Sequence, residues 1–195
     1  DSPLTVTQML WVNLIMDTFA AMALASLPPS ERVMQDRPRD RKAFIIDHTM
    51  AMVIIGVGGL FFAGLICLVY VFEHSDVTSL WDLGAVTLGA ANGLSPYELS
   101  LIFTIFVMLQ FFNMFNARAY ETGASALHLA GCRPFILIAT VIFIGQVVIV
   151  SVGGAIFNVT PLVLSDWVAI VLGTSLVLWA GEFLRLFERK KRGNP

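Results

Sequence analysis

Apolar residues run along this chain in blocks of about 20, the length a helix needs to cross the roughly 30 Å hydrocarbon layer of a bilayer. Short polar stretches separate the blocks. Five can be read, at Leu4–Leu27, Met50–Phe72, Leu99–Phe115, Pro134–Phe157 and Trp167–Phe187. Stretches such as Val53–Leu68 are continuously apolar rather than alternating, which argues against the alternating strands of a membrane barrel, about 10 residues each. Helices are the other structure that satisfies every backbone N–H and C=O in lipid. The pattern predicts an all-α, multi-pass transmembrane helical bundle of five spans.

Composition agrees. Of the 195 residues 57% are apolar and 13% charged, against about 25% charged in soluble domains. A soluble globular domain, a disordered chain and a nucleic-acid-binding module are excluded. Two isolated cysteines, Cys67 and Cys132, provide neither a disulfide framework nor a zinc cluster. The basic residues set an orientation. Arg32, Arg37, Arg39, Arg41 and Lys42 follow the first block, and Arg118 and Arg133 lie between the third and fourth. Arg185, Arg189, Lys190, Lys191 and Arg192 end the chain, while Glu73–Glu98 and Asn158–Asp166 hold no Lys or Arg. Basic loops stay cytoplasmic, so the N-terminus is expected outside and the C-terminus in the cytoplasm. The reading is of a multi-pass cell-membrane protein whose first partner is the lipid bilayer.

Local signals fit these boundaries. Pro134 suits the first turn of a helix, Pro28-Pro29 would close the first span, and Pro96 precedes the third. Trp11, Trp81, Trp167 and Trp179 fall in or near span ends, and the interfacial belt suits Trp167 best. Gly56, Gly59 and Ala63, and likewise Gly145, Gly153 and Gly154, predict close helix packing. The chain opens Asp1-Ser2-Pro3 and enters a span almost at once, so it is expected to be the C-terminal portion of something longer.

Polar groups inside the spans are the informative ones, because a carboxylate at the bilayer centre costs about 2.5–3.5 kcal/mol on insertion scales. Asp17 lies near the middle of the first span, and Asn13, four residues earlier, shares its helical face. Together they offer three oxygens to one point, a partial site for a hard cation such as calcium, which takes six to eight. The alternative is an Asp–Asn pair that glues helices by hydrogen bonds. Gln110, Asn113 and Asn116 form a polar stripe in the third span, read first as interhelical hydrogen bonding. Gln146 and Glu182 are read as structural, with Glu182 paired to Arg185 three residues on. No Gly-rich phosphate loop and no nucleophile–base set is present in the sequence.

The run Gln8-Met9-Leu10-Trp11-Val12-Asn13-Leu14-Ile15-Met16-Asp17-Thr18 resembles the sixth transmembrane helix of P-type calcium-transporting ATPases, and the likeness continues through Pro28-Pro29. Met34-Gln35-Asp36-Arg37-Pro38 resembles that family's loop between helices six and seven, and Phe112–Arg118 its eighth helix. Five spans entered from outside would be helices six to ten. The resemblance implies that Asn13 and Asp17 ligate transported calcium. Endoplasmic-reticulum-type pumps carry Thr at the position of Met16 and Glu at that of Gln110; both departures look like the plasma-membrane type, which keeps one calcium site. Met16, Gln110 and Asn113 become neighbours of the site or candidate ligands. Residues 28–49, with Arg32, Asp36, Arg37 and Pro38, would form a loop coupling the membrane helices to a phosphorylation domain.

The resemblance further implies that ATP and magnesium act only in the full-length parent, whose earlier helices and cytoplasmic domains would be this chain's protein partners and would supply the remaining ligands. By itself the chain holds no phosphorylation or nucleotide-binding domain. Competing readings are a self-contained cation transporter or channel subunit, a membrane assembly subunit, and a secretory-pathway calcium/manganese pump.

Overall fold

The computed structural model describes residues 3–27, 44, 46–120 and 125–192, except for the side chains of 15–17, 49 and 188–192. Arg32, Asp36, Arg37 and Pro38 lie outside the described residues. All described regular structure is helical: α1 (Val6–Val12), a π-helical segment (Asn13–Ala20), α2 (Ala21–Ala25), α3 (His48–Glu73), a 3-10 helix (Leu80–Ala85), α4 (Pro96–Arg118), α5 (Arg133–Val152), α6 (Gly154–Phe157) and α7 (Leu164–Arg192).

Among the described residues four helices are long and apolar enough to cross a membrane: Met50–Glu73, Pro96–Arg118, Arg133–Val152 and Leu164–Phe187. The first expected span is also helical, from Val6 to Ala25, but as an α–π–α series rather than one α-helix. The fourth, expected to run unbroken to Phe157, breaks at Gly153. A Cβ there would strike the Ile149 carbonyl, and Gly154 adopts φ +44°, a conformation that favours glycine. The third begins earlier than expected because Ser95 and Glu98 form a reciprocal capping box around Pro96 in the first turn. The loop read as 28–49 ends sooner, since Asp47 caps α3 by accepting from the Met50 N–H.

α4 is the centre of the bundle. Leu101, Phe103, Val107 and Met108 are buried, and the helix packs on α7, α5 and α3. Aromatic rings knit α4 to α5, with Phe115 edge-on to Phe135 at 5.1 Å. α3 differs: Met52, Ile55, Leu60, Phe62 and Ile66 are all exposed. A helix apolar all round belongs in a buried core or in lipid, and α3 is not buried. The close packing expected of Gly56, Gly59 and Ala63 is absent among the described residues, where all three are exposed.

Polar clasps close both ends. At one end the fully buried Asp166 accepts from Ser79 Oγ (2.6 Å), the Leu80 N–H (3.1 Å) and Tyr97 Oη (2.7 Å), tying the 3-10 helix to α4 and α7. At the other, Arg118 donates to the carbonyls of Ser125, Ala126 and His128 and to Cys132 Sγ, so that the end of α4 organises the turn into α5.

Candidate ion-binding helix

The segment Val6–Ala25 begins at Thr5, whose hydroxyl accepts from the Gln8 N–H while Gln8 Oε1 accepts from the Thr5 N–H. Gln8 is buried and donates its side-chain amide to the Phe157 carbonyl at 2.9 Å. Trp11, one turn on, donates its indole N–H to Gln146 Oε1 of α5 at 3.0 Å. The indole lies over Gly145, where a Cβ would sit 2.9 Å from the ring edge, and meets Phe157 edge-on. Gly145 thus makes the close contact expected of it. Trp11, however, is directed into the bundle rather than to an interfacial belt.

The π segment starts at Asn13 and carries Met16 and Asp17 on its backbone; the side chains of Met16 and Asp17 lie outside the described residues. Asn13 is exposed. π-helical turns are rare and frequently occur at functional sites. Residues four apart stay near one face in either helix type, so the Asn13–Asp17 spacing survives the change of helix. Beyond it, α2 returns to the bundle through the fully buried Ala23. The segment adjoins both α5 and α4.

Gln110 and Asn113 are half-buried on α4, and their side chains make no hydrogen bond among the described residues. Asn116 does what the stripe predicted: its amide donates to the Val177 carbonyl of α7 at 2.9 Å, and its oxygen accepts from Arg185. The Glu182–Arg185 pair is formed at 2.8 Å, and Glu182 also accepts from the Ala126 N–H. This cluster is structural cross-linking, away from the π segment.

Gln146 is a larger matter than its solitary position suggested. It is fully buried, and because Trp11 requires its oxygen, its Nε2 is left without a partner among the described residues. An orphaned buried donor costs about 1–3 kcal/mol. The signal in the sequence was a lone glutamine beside a glycine within an apolar run; its partner on a helix more than 100 residues away was not legible.

The chain belongs to the cation-transporting ATPases: residues 1–187 match the family described as "Cation transporting ATPase, C-terminus". Within that family it is 36% identical over 193 residues to the plasma membrane calcium-transporting ATPase mca-1 of Caenorhabditis elegans, covering 98% of this chain and 15% of that protein. It is 35% identical over 187 residues to plasma membrane calcium-transporting ATPase 4 of Homo sapiens, covering 94% and 14%. Against the calcium-transporting ATPase PAT1 of Dictyostelium discoideum the identity is 33% over 189 residues, covering 94% and 16%. The chain therefore spans about one-seventh of the length of these relatives.

Proposed function

We propose that this chain is the part of an ATP-driven, plasma-membrane-type calcium pump that supplies one wall of the intramembrane calcium site. Asn13 and Asp17 are the ligands, with Met16, Gln110 and Asn113 beside them. The observation that carries the reading is the exposed Asn13 on a π-helical segment whose flanking α-helical turns are anchored to the bundle. Calcium takes six to eight oxygens at about 2.3–2.6 Å; three from this helix leave the rest to the parent's other helices. ATP and magnesium act in the parent's cytoplasmic domains, and binding energy that differs between two states opens the site to alternate sides. Residues 28–47, including Arg32, Asp36, Arg37 and Pro38, couple the two regions. In this reading the stretches without Lys or Arg, 73–98 and 158–166, lie outside by the positive-inside rule, and the Asp166 clasp with them.

The test is Asp17→Asn in the full-length pump. The change keeps the shape and removes the charge that offsets calcium's desolvation. Calcium-dependent phosphorylation by ATP is expected to be lost, and phosphorylation by inorganic phosphate retained. Near-normal calcium dependence in Asp17→Asn would make Asp17 structural and end the ligand assignment.

A further inference from the structure

The helix bearing Asn13 and Asp17 is held from its other side. At about 100° per residue, Asn13 lies about 200° round the axis from Trp11, and it is exposed where Trp11 is half-buried. The anchor on the buried side consists of Gln8 to the Phe157 carbonyl and Trp11 to Gln146, with the indole seated on Gly145. An apolar side chain at Gln146 would fill its place in α5 without leaving Nε2 unpartnered, so α5 itself gains little from an amide there. The gain goes to the partner helix, because a single directional bond at the rim of the indole resists rotation in a way that apolar contact does not.

We infer that Gln146 is a positioning residue for the calcium site, setting the rotation of Val6–Ala25 through Trp11 and so aiming Asn13 and Asp17. The inference rests on the calcium-site reading above. Its leverage is geometric. With side chains about 5–6 Å from the helix axis, a rotation of about 10° moves a ligand oxygen by about 1 Å. That exceeds the whole range of calcium–oxygen distances, about 2.3–2.6 Å.

In the full-length pump, Gln146→Leu removes the bond and keeps the bulk, and Trp11→Phe removes the bond together with the indole edge over Gly145. Each should raise the calcium concentration for half-maximal phosphorylation by ATP about 10–100-fold, the usual effect of losing a partner that orients a metal ligand. The double variant should be no worse than the stronger single one. Gln146→Glu, whose carboxyl is neutral when buried without an ionic partner, keeps a carbonyl acceptor of the same shape for Trp11 and should restore most of the affinity. Phosphorylation by inorganic phosphate reports intact folding and should not move; if Gln146→Leu fails to fold, Trp11→Phe carries the same test. Wild-type calcium dependence in both single variants, with Asp17→Asn abolishing it, would refute the positioning role alone. Intact calcium dependence in Asp17→Asn would instead remove the site reading beneath it. An affinity loss in Gln146→Glu equal to that in Gln146→Leu would also refute the role, since the acceptor would then be irrelevant.

Discussion

Removing the Asp166 carboxylate should release the 3-10 helix Leu80–Ala85 from the bundle. Two of the three bonds Asp166 accepts, from Ser79 Oγ and the Leu80 N–H, hold that segment; the third, from Tyr97, holds α4. A hydrogen bond to a charged group contributes about 1.5–3 kcal/mol net. Ser79 and Leu80 regain water once lifted, so the lower end applies: two bonds at about 1.5 kcal/mol give about 3 kcal/mol. That is an increase of about 100-fold in the lifted population. The Trp81 indole donates to the Ser165 carbonyl at 3.1 Å, a bond that the substitution does not remove, so the segment stays tethered. Leu83, half-buried on the segment itself, can be replaced by Cys in the full-length pump, with the exposed Cys67 replaced by Ser. Maleimide labelling in detergent then tracks local opening when closing is fast. Asp166→Ala should speed labelling about 100-fold, and Tyr97→Phe, which spares both loop bonds, far less. Labelling of Asp166→Ala at the parent rate would show that apolar contact, and not the carboxylate, holds the segment.

Single cysteines at the exposed Thr78 and Asn158 should react with an impermeant reagent applied to intact cells, while one at Gln35 should not; external labelling at Gln35 would overturn the orientation. The pump should bind one calcium per phosphorylation site, because Met16 offers only sulfur and Gln110 a neutral amide where a second divalent ion would need a carboxylate. Radioactive calcium at two per site, bound cooperatively, would refute this and make Gln110 a candidate ligand again.

The membrane-spanning helices were legible because their signal is local: twenty apolar residues in a row need no knowledge of neighbours. Their ends were less so. Pro96 marks a helix start in the sequence, but the reciprocal bonds of Ser95 and Glu98 that start α4 three residues before Leu99 depend on side-chain geometry. Gly153 and Gly154 looked like packing residues, and only backbone angles show that they end α5. At the candidate site, the i, i+4 spacing of Asn13 and Asp17 was visible, whereas the π-helical hydrogen bonding beneath it was not. Pairings across long sequence distances, Trp11 with Gln146 or Ser79 with Asp166, leave no periodic trace. They are set by where folded helices meet.

The apolar stretch of α3 is left uncovered by the other described helices, so its surroundings are lipid or further helices of a longer protein. That stretch, Met50–Phe72, measures about 35 Å at about 1.5 Å per residue, longer than the roughly 30 Å hydrocarbon layer. A span that outruns its bilayer leans or thickens the lipid around it. α3 packs on α4, and that contact limits how far it can lean. The slack between its buried terminal Phe72 and the Asp166-held Leu80 then falls on the few residues joining them. Membranes of different thickness would thus draw this connection taut or let it fold.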